Sequence, residues 1–293
     1  VLDTVERANA EGAHLVGCTI NRPGGMVMSW DTFNIFSDRP SYLEVAHLPL
    51  EERLAALREP KRRARILEEK VQSPMLQNGV TLVTNSLHSI YPCLDEPLFE
   101  PEPELSLRHR IEQSGEAPFD ALYDAMCETG EAGGFLNVFL GNYADGDLEA
   151  VGEMMRHPNT LVGVADGGAH VTAICDASYT TFMLQHWVRD RTRGPRLPVE
   201  EAVRMLTRDP AELIGLTDRG VIAPGKRADL NVVDLERLRL KLPRLERDLP
   251  TGAPRLLQST EGYAATLVAG VVTLRNDADT GARPGGLVRG TGA

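Results

Sequence analysis

The chemical groups that stand out most in the sequence lie in the segment Asp166-Gly-Gly-Ala-His170, directly after the apolar run 160–164. In a parallel α/β barrel, active-site residues lie at the carboxyl ends of strands, where a carboxylate can act as a general base or bind a metal ion. Gly167 and Gly168 allow the backbone to turn sharply beside a ligand. An ordinary turn that begins at Asp166 explains the same residues equally well.

Other candidates for chemistry are weaker. His88 follows an apolar segment, but a hydrogen-bonded structural role explains it at least as well, and we interpret Cys175 as a buried, unreactive thiol. The sequence contains no His-x-His, no His-Glu-x-x-His and no Gly-x-Ser-x-Gly. The residues alone therefore single out Asp166 and His170.

The elements that would position these groups alternate between helix and strand. We predict a helix over 2–11 and further helices from residue 41 onward, and the predicted strands are 14–20, 80–84, 135–140 and 160–164. This alternation is typical of an α/β protein with a parallel sheet. The loop 26–40 carries Trp30, Phe33 and Phe36, and it either covers a pocket or fills a small core of its own.

The pattern changes at Gly220, where short strands separated by Gly and Pro turns replace the helices. The segments 263–268 and 271–274 form a predicted hairpin around Ala269-Gly270. Such strands are typical of an antiparallel sandwich. We therefore expect two units, residues 1–217 and residues 218–293.

Composition excludes several classes of function. The chain has 293 residues, and its 31 Lys and Arg against 42 Asp and Glu give a net charge of −11. Nucleic acids and anionic membranes attract basic surfaces, so neither is an expected partner. No apolar run approaches the roughly 18 residues of a membrane span. The four dispersed cysteines favour a reducing, cytoplasmic environment.

Several segments together resemble the amidohydrolase superfamily. The segment from Asp166 to His170 resembles the loop after the eighth barrel strand in that superfamily, and 207–216 resembles the helix before its closing sandwich. The segment 220–234 closely resembles the return of the chain into the sandwich, and 268–272 resembles the final hairpin. The segments 19–25 and 142–146 resemble the branch that contains the N-acyl-D-amino-acid deacylases, or D-aminoacylases.

The resemblance implies the C-terminal part of a TIM-like (β/α)8 metal-dependent hydrolase barrel, followed by part of a small β-sandwich. The implied reaction is hydrolysis of carbon–nitrogen bonds in N-acyl-D-amino acids, small molecules that a zinc-activated water would attack. Asp166 matches the aspartate that shuttles the proton and touches the metal. His170, Gly167 and Gly168 fall at substrate-binding positions, and Arg22 is our candidate partner for the substrate carboxylate.

One departure from the family pattern changes what we expect of this chain. The sequence lacks the His-x-His that holds the metal in the family, and it begins at Val1 in what reads as the middle of a protein. We therefore expect the first strands of the barrel to lie outside the sequence, and these residues alone not to hold zinc. A cyclic-amide hydrolase, similar to dihydroorotase or hydantoinase, and a non-catalytic half-barrel that binds or assembles remain alternatives. Oligomeric state and acyl preference stay open.

Overall fold

The structure is a computed structural model that describes residues 1–288. Its helices surround and connect short strands. The α-helices are α1 (Leu2–Ala10), α2 (Pro40–Leu43), α3 (Leu50–Leu57), α4 (Pro60–Glu68), α5 (Pro74–Asn85), α6 (Leu107–Ser114), α7 (Pro118–Glu131), α8 (Glu149–Arg156), α9 (Tyr179–Phe182), α10 (Val199–Leu206) and α11 (Arg208–Leu213). A 3₁₀ turn, Asp176–Ser178, precedes α9, and a π-helix, Met183–Asp190, follows α9 directly.

The strands are mostly three to seven residues long. They are β1 (Gly17–Thr19), β2 (Gly24–Met28), β3 (Ile90–Cys93), β4 (Phe135–Gly141), β5 (Thr160–Val162), β6 (Leu230–Val233), β7 (Arg239–Leu240), β8 (Arg244–Glu246), β9 (Arg255–Leu257), β10 (Thr260–Glu261), β11 (Tyr263–Val268), β12 (Val271–Arg275) and β13 (Ala278–Asp279).

The parallel part of the fold consists of β1 and β5. Cys18 lies opposite Leu161 in this pair, and β5 packs against α8, α10 and α11. Both strands are shorter than the sequence predicts, because the flanking residues form loops. The predicted mixed helix-and-strand class is confirmed, but within residues 1–288 the parallel sheet is limited to these two strands.

The prediction of a parallel neighbour was wrong for β4. This strand lies between β2 and β3 and is antiparallel to both. Gly25 allows the close approach of β2, because a Cβ there would lie 2.1 Å from the backbone oxygen of Val138. A short apolar run predicts that a segment is a strand, but it contains no information about the direction of its neighbours.

The predicted strand over 80–84 was also wrong, since these residues form the second half of α5. Pro74 occupies the first turn of the helix, where its missing N–H is not needed. Leu76, Val80 and Val83 are all buried and follow the spacing of one helical face. Burial of this face outweighs the strand preference of the β-branched residues.

The aromatic loop 26–40 fills a core and does not serve as a free cover. Trp30, Ile35 and Phe36 are buried in the larger of the apolar clusters, where the Trp30 ring stacks on Tyr42. The Tyr42 hydroxyl donates a hydrogen bond to the backbone oxygen of Trp30. Of the two roles that the sequence left open for this loop, the structure supports the filling of a core.

The C-terminal region is antiparallel, as predicted. β13, β12, β11 and β6 form one sheet, and the β11–β12 hairpin turns at Ala269-Gly270. The Asp229 carboxylate accepts a hydrogen bond from the Ala269 N–H at 2.8 Å, so the segment 220–234 is fastened to this turn. Two smaller pairs, β7 with β10 and β8 with β9, lie between β6 and β11 in the chain.

A buried charged cluster joins the loop before α6 to the π-helix. The Glu100 carboxylate lies 3.0 Å from His186 Nε2 and accepts two hydrogen bonds from the Arg191 guanidinium. Glu100 and Arg191 are buried, with side chains only 2% and 0% exposed. Burial opposes ionisation of the carboxyl, but the hydrogen bonds from His186 and Arg191 outweigh it and lower the pKa of Glu100 to about 2.

None of the helices between residues 1 and 288 combines the length and the apolar character needed to cross a membrane.

Candidate functional site

The two loops that carry the predicted site residues leave the same edge of the parallel pair. β1 leads into Arg22, and β5 leads into the segment Asp166–His170. Because the strands are parallel, their carboxyl ends meet at one edge. The fold therefore brings together two segments that lie about half the chain apart in sequence.

The segment Asp166–His170 forms an exposed turn. The Asp166 carbonyl accepts a hydrogen bond from Ala169 N–H at 3.0 Å, and the His170 carbonyl accepts hydrogen bonds from two later N–H groups. Asp166 and His170 have φ angles of 47° and 43°, in the left-handed region that non-glycine residues rarely adopt. Gly168 has a φ of 94°, which only glycine adopts readily. Side chains of this turn are open to solvent.

Arg22 is held in the neighbouring loop by partners that the sequence did not predict. Its Nη1 donates a hydrogen bond to Ser178 Oγ at 2.7 Å, and its Nη2 lies 3.4 Å from the Asp176 carboxylate. The guanidinium also lies 5.6 Å from the centre of the Phe182 ring. Arg22 Nε is buried and has no hydrogen-bond partner among the described residues.

Asp176 links this loop to the three-stranded sheet. Its carboxylate is buried and accepts a hydrogen bond from Gly25 N–H at 3.0 Å. Burial raises the pKa of Asp176, Arg22 and the Gly25 N–H oppose the rise, and the charge of Asp166 adds to it. The charges of Arg22 and Asp166 therefore both act on the Asp176 carboxyl. The signal for Asp176 in the sequence is an acidic residue directly after the apolar tripeptide 173–175.

A small cavity of about 30 Å³ lies beside Arg22 and Asp176. This volume suits about one or two water molecules or a group of similar size. Asn137 of β4 and Phe139 line one side, while Pro243 and Gln258 reach it from the C-terminal region. The lining is mainly apolar with a few polar groups.

The two cysteines that line the cavity, Cys93 and Cys175, have raised pKa values. Burial raises the pKa of each thiol to about 11. A thiol is nucleophilic only as the thiolate, so neither group is activated for catalysis. This agrees with the prediction that Cys175 is unreactive.

A metal-binding set is not found among residues 1–288, where no group of three or more His, Cys, Asp or Glu side chains converges. Asp166 is exposed, and His88 is exposed after α5, in a different region of the chain. His186 and His157 contact Glu100 and Glu6. The residues present therefore do not fit a zinc ion by themselves, since structural and catalytic zinc sites need three or four protein ligands.

Comparison with models of protein families gives a match that covers most of this site. The sequence profile of the amidohydrolase family matches residues 114–274, which include the Asp166 turn, Asp176, Ser178 and Gln258 but not Arg22. A search of curated proteins finds no match.

Among solved structures, the chain is similar to D-aminoacylase. One structure, described as defining a subset of amidohydrolases, is 22% identical with a TM-score of 0.35, over 66% of this chain and 36% of that chain. A second, described in terms of the binuclear metal centre of D-aminoacylase, is 19% identical with a TM-score of 0.36, over 80% of this chain and 44% of that one. The chain thus spans less than half the length of either structure.

The profile match extends over more than half of the chain and includes the strand, the turn and the C-terminal hairpin described above. On this ground the protein belongs to the amidohydrolase family.

Proposed function

We propose that this chain forms part of a hydrolase of carbon–nitrogen amide bonds, with Asp166 handling the proton and Arg22 binding the substrate carboxylate. The observation that carries the proposal is the position of Asp166, an exposed carboxylate after a parallel strand and inside the family match. Arg22 follows the paired strand at the same edge. A TIM-like barrel with a small sandwich is the corresponding fold.

Asp166 has the chemistry that hydrolysis requires. A carboxylate within hydrogen-bond reach of an attacking water accepts its proton and returns it to the leaving nitrogen. The turn carries this carboxylate in solvent, where a water and a substrate can approach it. Gly167, Gly168 and His170 in the same turn form the adjoining surface for the substrate.

The substrate class that we propose is N-acyl amino acids, with the D-configuration as the finer expectation. A guanidinium binds a carboxylate through parallel hydrogen bonds, and Arg22 has an Nε that no described residue occupies. Asp176 already neutralises part of the Arg22 charge, so a ligand carboxylate competes with it for Nη2. A compact carboxylate also matches the small cavity better than a bulky side chain does.

A metal ion, zinc in our proposal, would activate the attacking water in an enzyme of this family. The described residues do not supply a set of ligands for it.

A second candidate, a non-catalytic binding protein, is favoured by the same lack of a ligand set within residues 1–288. One assay separates the candidates. The full protein, with added zinc, is tested on N-acyl-D-amino acids, their L-counterparts and cyclic amides such as hydantoin. We expect turnover of N-acyl-D-amino acids, and much weaker turnover once their carboxylate is converted to an amide.

Preparations of the Asp166→Asn variant, purified in parallel, serve as the control for contaminating hydrolases. Turnover of cyclic amides alone would support the hydantoinase-like alternative. Binding of N-acyl amino acids without turnover would support the non-catalytic candidate.

A further inference from the structure

A continuous chain of hydrogen bonds connects Arg22 to the C-terminal region. Arg22 Nη1 donates to Ser178 Oγ at 2.7 Å, and Ser178 Oγ lies 2.6 Å from Gln258 Oε1. Gln258 Nε2 in turn donates to the backbone oxygen of Lys241 at 2.9 Å. This hydrogen-bond chain begins in the loop after β1 and ends in the segment between β7 and β8.

The direction of this chain follows from its chemistry. A guanidinium only donates, so Ser178 Oγ accepts from Arg22. The single proton of Ser178 goes to Gln258 Oε1 at 2.6 Å, which is a closer acceptor than the Cys175 carbonyl at 3.4 Å. The amide of Gln258 is oriented by the same network, because its nitrogen faces the carbonyl of Lys241. Hydrogen bonds that run in one direction polarise and strengthen one another.

The hydrogen-bond chain restricts the orientation of the Arg22 guanidinium. The contact with Ser178 engages Nη1, and Asp176 lies near Nη2, while Nε has no partner among the described residues. Loss of the Ser178 contact would leave the guanidinium with the 3.4 Å contact to Asp176 and the Phe182 ring. The head group would then be free to rotate out of the orientation in which it lines the cavity.

The geometry points to Gln258 as a positioning residue for Arg22, through which the C-terminal region sets the preference for ligands with a free carboxylate. This inference rests on the proposed role of Arg22 as the carboxylate partner. Gln258 and Pro243 also line the cavity beside Arg22, so the same region limits the size of the group that enters. A free carboxylate is preferred over the nearly isosteric primary amide because only the carboxylate has a negative charge and two acceptor oxygens for the guanidinium.

The test measures the ratio of two dissociation constants, for N-acetyl-D-leucine and for its primary amide. Binding is measured by calorimetry on the full protein in the Asp166→Asn background, where turnover should be roughly 10²–10⁴ times slower. We expect the carboxylate to bind more tightly than the amide. Gln258→Ala should reduce this preference about three- to tenfold, the usual effect of one hydrogen bond. Ser178→Ala should do the same, and Ser178→Thr, which keeps the hydroxyl, should retain the preference.

The matched control is Gln185→Ala. Gln185 also fastens the C-terminal region, because its Oε1 accepts a hydrogen bond from Leu240 N–H at 2.8 Å, but it is not part of the Arg22 chain. We expect it to leave the ratio unchanged. A general loosening of the C-terminal region would instead weaken the preference for the carboxylate in both glutamine variants, and this result would overturn the inference.

The result also distinguishes the inference from the proposed function. If Arg22→Ala removes the preference but Gln258→Ala and Ser178→Ala keep it within twofold, Gln258 does not position Arg22 and only the inference fails. If the parent shows no preference for the carboxylate, the proposed role of Arg22 fails, and the inference fails with it.

Discussion

At the scale of single residues, the charged groups of this protein divide into two kinds. Glu100 and Arg191 are fully paired in the interior and fasten elements together. Arg22 and Asp176 are also mostly buried, but their pairing is looser, at 3.4 Å, and they face a cavity. Buried charged groups with long or missing hydrogen bonds beside a cavity are typical of ligand sites. Buried charged groups with all their hydrogen bonds made are typical of structural ion pairs.

Glu100 gives a prediction about pH. Because its pKa falls to about 2 in the folded protein, its stabilising contribution is complete above the pKa of the unfolded chain, near 4.5, and is lost as the pH falls toward 2. Glu100→Gln should lower the free energy of unfolding at pH 7 by roughly 3–5 kcal/mol, since buried Arg191 loses its buried counter-charge and keeps only the half-exposed Glu149. Urea denaturation at several pH values measures both effects.

The natural protein should lose more stability between pH 4.5 and pH 2.5 than the Glu100→Gln variant does. Glu246→Gln is a suitable control, because Glu246 pairs with Arg244 at the surface and should contribute less than about 1 kcal/mol. Equal pH profiles for the natural protein and the Glu100→Gln variant would contradict the structural role assigned to Glu100.

At the scale of elements, the three-stranded sheet supports the site. β2 supplies the Gly25 N–H that holds Asp176, and β4 supplies Asn137 to the cavity. The position of β2 therefore determines where Asp176, and with it Arg22, can lie. The contact between β2 and β4 depends on the absence of a side chain at Gly25.

Gly25→Ala should accordingly destabilise the protein. The new Cβ would lie 2.1 Å from the backbone oxygen of Val138, so the two strands would have to separate. Overpacking of this kind costs typically about 1–3 kcal/mol, and more where the obstacle is backbone. Thermal unfolding measures the loss, which we expect as a lowered Tm.

The same sheet offers a matched control. Gly141→Ala lies on β4, where a Cβ would meet no atom within 4 Å, and it should change the Tm little. Similar Tm values for Gly25→Ala and Gly141→Ala would mean that β2 and β4 are farther apart than the structure has them.

At the scale of the whole molecule, sequence patterns predicted local structure better than long-range arrangement. The β11–β12 hairpin turns at Ala269-Gly270 as its sequence predicts, because turn chemistry acts over a few residues. α5 was missed because its buried face contains β-branched residues. The pairing of β4 with β2 and the contacts of Arg22 depend on residues more than 100 positions away, which local patterns do not encode.

The candidate site was predictable to a similar extent. Asp166 and the residues of its turn were singled out by their position after an apolar run. Asp176, Ser178 and Gln258 were not, because their importance comes from contacts with Arg22 across the fold. The role of Asp166 itself remains a prediction.

The central claim, that Asp166 handles the proton in amide hydrolysis, is tested most directly by steady-state kinetics of Asp166→Asn. The substitution preserves size but removes the group that accepts a proton, and loss of a general acid–base group typically costs roughly 10²–10⁴ in rate. We expect kcat on N-acyl-D-amino acids to fall by this factor with KM nearly unchanged, while Asp145→Asn, at an exposed carboxylate outside the turn, keeps full activity. A near-normal kcat for Asp166→Asn would contradict the account.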